Sequence, residues 1–261
     1  MREQRLNLAT LVANSAVGFA LGTVLALQLY QLGLVAGGLL ADRRPVWHLD
    51  HVEFAAPGSE VAWIGGVVLV LAVGWALAGI YRGGSRYDGT RLAVLWVTLH
   101  CFRQGSLPLA RVPFDEQVDP SRALAVTDLP ESFVWVVGVL GIAGLLGIGL
   151  LAAPALLRFA PEDLSTKRGR VIFIGLVGVG AWAIGSLLVM PLLLPGGTEA
   201  AWEFVLWSGA FLFVTVVASP EPREIYAVRE PAQLSWGPLL LLGGLIALAR
   251  IFLTEGMSIN L

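Results

Sequence analysis

Charge is scarce in this sequence. Of its 261 residues, 14% are Asp, Glu, Lys or Arg, against about 25% in a soluble domain. With 56% hydrophobic residues and a mean hydropathy of +0.76, that shortage excludes an ordinary water-soluble domain and places the chain in the membrane class. Cysteine is nearly absent too. Cys101 stands alone, which excludes an intramolecular disulfide and a cysteine-based zinc site. The only histidines are His48, His51 and His100. An intramembrane haem b takes two axial ligands, and only His100 falls in an apolar stretch, which argues against a cytochrome subunit. Walker loop, GxSxG elbow and HExxH are missing. No internal repeat supports an inverted-repeat transporter. The single lysine, Lys167, stands against sixteen arginines, and the net charge is -2. In a membrane protein the placement of charge matters more than that sum.

What the chain does have is long apolar runs. Spanning ~30 Å of hydrocarbon takes ~20 helical residues. Seven stretches qualify: 7–29 (running on toward 40), 61–81, 92–110, 133–157, 171–194, 202–218 and 237–254. The first has a basic start but continues to about Leu40 with no small-x-small site, so it reads as a retained signal-anchor helix rather than a cleaved signal. It is long enough to tilt, or to turn at Gly33, Gly37 and Gly38 and lie along the interface. With the N-terminus inside, the inner segments hold Arg2, Arg5, Arg82, Arg86, Arg91, Arg158, Lys167, Arg168, Arg170, Arg223 and Arg229. The outer ones hold only Arg43, Arg44, Arg111 and Arg122. That asymmetry predicts N-in and C-out, and it favours counting the polar third segment as a true crossing.

The expectation is an all-α polytopic membrane protein: a single integral membrane domain over 1–261 with about seven helices in the inner (cytoplasmic) membrane. Loops 41–60 and 110–132 are long enough for a small outer cap. The segment "EPREIYAVREPAQLSWGP" (221–238), with proline at both ends, reads as surface-lying on the inner side. The basic inner loop "YRGGSRYDGTR" (81–91) suits contact with anionic lipid headgroups. Trp47, Trp63, Trp135, Trp202 and Trp236 fall near span ends, as interfacial aromatics do. Gly18 and Gly22, and Gly138, Gly141, Gly144 and Gly147, predict close helix packing within the chain.

The third segment contains "LWVTLHCFRQGSLPL" (95–109). His100, Arg103 and Gln104 are spaced i, i+3, i+4 and share one helix face. An arginine at such depth costs at least ~2.5–3.5 kcal/mol, so Arg103 should face protein or water. No Asp or Glu lies mid-span to meet it. The cluster is either a polar ligand pocket or a structural network between helices. Arg250, nearer a span end, should reach the interface or Glu255. In the outer loop, "WHLDHVEF" holds His48 and His51 beside Asp50 and Glu53. On a helical turn the two imidazoles could share a Zn²⁺ or Cu²⁺. On one extended strand they would point to opposite faces. Pro45, Pro57 and the alternation through Val52 and Phe54 favour extended structure.

Three stretches, "AWIGGVVLVLAVG" (62–74), "LWVTLHCFRQGSLPLARVPFDEQVDPSRAL" (95–124) and "ALARIFLTEGMSINL" (247–261), resemble degenerate relatives of the site-2-type (M50-like) membrane metalloproteases. In that family the first helix carries HExxH; here the comparable place reads "NSAVG", Asn14 to Gly18. Asp119 matches the third, carboxylate ligand. The resemblance therefore implies a pseudoenzyme, with no zinc ligand or catalytic residue to carry over.

The leading expectation is a non-catalytic membrane protein that binds lipid or a partner membrane protein, without cofactor or nucleic acid. A second is a transporter or ligand-conducting protein with its pocket at His100, Arg103 and Gln104. A third is a metal- or haem-binding subunit using His48 and His51 or His100.

Overall fold

A computed structural model describes residues 2–49, 51–54, 60–83, 88–125, 127, 129–160, 166–193, 198–218, 233–254 and 256–259. Arg86, Asp50, Pro57, Glu255 and most of the 221–238 segment lie outside these residues, as does part of each cap loop.

The described residues are helical apart from one small sheet. In order run α1 (Arg2–Leu40), β1 (Pro45–Trp47), β2 (Val52–Phe54), α2 (Glu60–Gly83), α3 (Gly89–Arg111), α4 (Asp119–Ala125) and α5 (Glu131–Leu157). Then come α6 (Lys167–Ile174), a wide π turn (Gly175–Val179), α7 (Gly180–Leu193), α8 (Thr198–Ser208), α9 (Ala210–Val217), α10 (Trp236–Leu253) and β3 (Met257–Ser258). Among the described residues, five helical stretches are long and apolar enough to cross a membrane: Leu8–Leu40, Ala62–Gly83, Glu131–Leu157, Lys167–Leu192 and Trp236–Leu253. The outside of the bundle matches a lipid solvent. Trp75, Leu150, Leu187, Phe213, Leu240 and Ile251 are all more than half exposed, a density of surface apolar groups foreign to soluble monomers.

α1 is one helix of 39 residues, about 58 Å long, and passes straight through Gly33, Gly37 and Gly38. It packs through small residues. A Cβ on Gly22 would sit 2.8 Å from the backbone carbonyl of Trp96 and from the His100 ring, so the helices touch backbone to backbone, as small residues permit in lipid. Asp42, at φ 54°, ends the helix. Its N–H bonds the Leu39 carbonyl and that of Arg43 bonds Gly38, a Schellman closure. The chain then reverses through the β1–β2 hairpin. β3 pairs with the other side of β1, giving the order β2-β1-β3. Gln28 and Gln31 of α1 hold this sheet. Both donate to the Leu49 carbonyl, and Gln31 accepts from the Trp47 indole at 2.8 Å.

α3 sits in the middle, against α1, α2 and α5. Gly18 and Gly22 of α1 meet Ala93 and Trp96 in ascending order, so α1 and α3 run parallel. Gly74 meets Cys101 while Gly105 meets Leu71, so α2 runs the other way; Gly144 and Gly141 against Ser106 and Ala110 set α5 antiparallel as well. Enclosure by these three helices explains how α3 carries polar residues. Its neighbours, not lipid, surround them.

Candidate functional site

Asp88 caps α3 by accepting from the Arg91 N–H at 2.8 Å, which sets the helix register. One and a half turns of that register hold His100, Arg103 and Gln104. The structure divides the three between two environments. His100 is fully buried on the α1 side. Its ring meets Phe19 edge-on at 4.4 Å, with Trp96 and Phe211 each 6.1 Å away. Thr23 Oγ1 lies 3.4 Å from Nε2, and Nδ1 has no hydrogen-bond partner. His100 is not among the residues that line the cavity at Arg103; it fills an aromatic nest.

Arg103 and Gln104 do line a cavity, of about 280 Å³, between α3, the start of the α4 segment and α8. Leu107, Pro108, Val118, Phe204 and Trp207 supply apolar walls; Arg111 and Glu203 supply charge. Arg103 is only 1% exposed. Its Nη2 donates to Gln104 Oε1 at 2.8 Å, and the guanidinium lies 5.3 Å from the centre of the Phe204 ring. Its Nε has no hydrogen-bond partner. Among the described residues no carboxylate pairs with it: Asp115 and Glu203 are both taken by Arg111, at 2.6 and 3.2 Å. With Arg111 and Glu203 paired, the lining keeps one uncompensated positive charge, on Arg103.

The other sequence candidates fall elsewhere. Cys101 is buried and faces Gly74 of α2, away from the cavity. Arg250 donates to the Pro191 carbonyl. Asn14, where the metalloprotease motif would begin, clips the 233–235 segment: its amide donates to the Gln233 carbonyl at 2.7 Å and accepts from the Ser235 N–H at 2.9 Å. Asp119 accepts from the Tyr30 hydroxyl at 2.9 Å. Burial raises the Asp119 carboxyl above its usual range, against the lowering pull of Tyr30 and Arg122. His48 and His51 flank the hairpin turn, and their rings stack at 4.5 Å.

A second cavity, about 420 Å³, opens between α2, α3 and α5 toward the opposite end of the bundle. Trp75, Leu95, Leu99, Phe102 and Ile148 wall it, and Arg82 and Arg158 also line it. Sequence reasoning missed Glu203, Phe204 and Trp207 at the Arg103 cavity. They lie about a hundred residues from Arg103, and nothing in local periodicity links the two segments. No known family, curated protein or solved structure matches the chain.

Proposed function

We propose that the chain is a seven-crossing inner-membrane protein, N-terminus inside and C-terminus outside, that binds an anionic lipid headgroup in the cavity beside Arg103. Binding, not catalysis, is its role there. The observation that carries this reading is the buried guanidinium, which has no carboxylate partner among the described residues. Desolvating an unpaired ion costs several kcal/mol, and a phosphate entering the cavity offsets that cost with charge-assisted hydrogen bonds.

The cavity holds roughly nine water volumes at ~30 Å³ each, the size of a headgroup rather than a whole lipid. Its walls are apolar, which suits the glycerol and upper acyl chain of a lipid better than a soluble anion. Arg103 lies eight residues from Arg111 along α3, ~12 Å by helical rise, a depth that a tilted headgroup reaches. The site offers no nucleophile and no general base beyond the paired Glu203. Two features support counting α3 as a crossing: its 23 residues, ~34 Å long, and its place parallel to α1 with α2 running the other way.

The test is native mass spectrometry of detergent-purified protein with phosphatidylglycerol or phosphatidylcholine. The expected result is preferential retention of phosphatidylglycerol, reduced at least tenfold by Arg103→Gln and partly restored by Arg103→Lys. Equal retention of the two lipids, or no loss in Arg103→Gln, overturns the reading.

A further inference from the structure

The hairpin at the end of α1 brings together the side chains that the sequence left as a pair of isolated histidines. His48 follows β1 and His51 precedes β2; the His48 N–H donates to the His51 carbonyl at 2.9 Å and closes the turn. Chain reversal thus sets the two imidazoles side by side across the hairpin, with planes only 6° apart. Glu53 is two residues after His51 on the same strand face, as the period of two requires. One of its oxygens lies 3.2 Å from His51 Nε2 and the other 3.7 Å from His48 Nε2. One ligand atom from each of the three side chains lies within 4.8 Å of the other two. Among the described residues this is the only cluster of three such groups.

We infer that His48, His51 and Glu53 form a binding site for one divalent transition-metal ion, Zn²⁺ being the best match, on the cap of this protein. Four observations support it. The donor set is two imidazoles and a carboxylate, which suits Zn²⁺ and disfavours Mg²⁺ and Ca²⁺, whose sites are built from oxygen. Ligand atoms on a tetrahedral zinc, each ~2.1 Å from the ion, lie about 3.4 Å from one another; the separations from the two Glu53 oxygens to the two imidazoles bracket that value, and with all three ligand atoms within 4.8 Å a rotation of the stacked rings out of parallel brings both lone pairs onto one ion. His48 Nε2 is buried and makes no hydrogen bond, the nearer Glu53 oxygen standing 3.7 Å away, so the nitrogen is left for another partner. Finally, the His48 ring is held in place. Gly256, at φ +81°, packs on it so closely that a Cβ would come within 2.6 Å, and β3 fixes that segment against β1.

Glu53 now serves both rings. Three protein ligands leave the fourth corner of the tetrahedron to water or to a donor from another molecule. Bound there, the ion ties the turn to both strands and so stiffens the whole cap. This site is separate from the Arg103 cavity, and neither depends on the other.

The experiment uses the full chain, tag-free and chelator-stripped in detergent, titrated with Zn²⁺ alone against a chromophoric competitor. One ion per chain is expected, with no displacement by millimolar Mg²⁺. His51 is about half exposed, so His51→Ala should keep the fold, as an unchanged gel-filtration profile will verify. That variant is expected to bind at least a hundredfold more weakly, and Glu53→Gln at least tenfold. Binding unchanged in a folded His51→Ala protein, or less than one ion bound per chain at saturating Zn²⁺, overturns the proposal.

Discussion

Replacing Arg103 by Met tests the central reading, because stability and binding should move in opposite directions. The guanidinium is 1% exposed and, among the described residues, pairs with no carboxylate, so it bears a desolvation cost of several kcal/mol. Against that stand one charge-assisted bond to Gln104, worth ~1.5–3 kcal/mol, and the contact with Phe204, worth ~0.5–2 kcal/mol. Met fills similar volume, adapts its shape and carries no charge. The difference leaves Arg103→Met more stable than the wild type by about 1–3 kcal/mol in lipid-free detergent. Adding phosphatidylglycerol closes or reverses the gap. A ligand at a hundred times its Kd stabilises the protein that binds it by about 2.7 kcal/mol, and the Met variant gains nothing. Thermal unfolding in detergent, followed by circular dichroism with and without lipid, reads both arms. A Met variant that unfolds below the wild type without lipid refutes the reasoning, since the guanidinium would then be a structural tie already satisfied by protein. Lipid that stabilises both proteins equally refutes the assignment of the site.

Other expectations are narrower. Gly22→Val should cost about 1–3 kcal/mol by overpacking, since its Cβ meets the Trp96 backbone at 2.8 Å, while Gly79→Ala, with no atom within 4 Å, should be neutral or slightly stabilising in the same melts. Gln31→Ala removes the acceptor of the Trp47 indole and one donor to Leu49; about 1–3 kcal/mol is lost, and hydrogen exchange should speed up across 45–54 before it does in the helices. The raised Asp119 carboxyl means that the folded state holds a proton more tightly than the unfolded chain. Its contribution is therefore full below the ordinary value of 3.8 and is lost as pH rises through the folded value. Asp119→Asn, which keeps an acceptor for Tyr30, should match the wild type at pH 3.5 and melt higher at pH 7. Cys101 is buried against α2, so maleimide should label it only as the protein unfolds; rapid labelling of the folded protein would mean that water reaches α3 from that side.

The membrane character and the helical class were legible because lipid inverts the usual pattern. Long apolar runs mark the outside of the bundle as well as its inside, and the glycines mark where helices touch. Gly18, Gly22 and Gly141 do what their spacing implies. The α3 helix was harder to read. Its polar residues lower its hydropathy below that of the five apolar stretches, yet those residues tie it to its neighbours. The i, i+3, i+4 rule places His100, Arg103 and Gln104 on one broad face but not in one environment. That face is wide enough for α1 and its aromatic rings to take His100 while α8 covers Arg103. Which neighbour covers which part of a face depends on contacts between segments about a hundred residues apart, and no window along the chain contains both.

The histidine pair shows a different gap, in how local geometry is composed. Proline and alternation predict extended structure around Val52 to Phe54, and strands form there. From extended structure it seemed to follow that His48 and His51 point to opposite faces, because neighbours on one strand alternate. That step holds only if both residues belong to the same strand. Here the chain reverses between them, so the pair lies across a hairpin. Residues opposite one another in an antiparallel pair point to the same side. An odd separation that divides two side chains along a strand unites them across a turn, and Glu53, two further on, joins the same side. The signal that decides between these outcomes is where the chain reverses. A chain reversal between His48 and His51, closed by one backbone hydrogen bond, is enough to bring two scattered imidazoles and a carboxylate within 4.8 Å of one another.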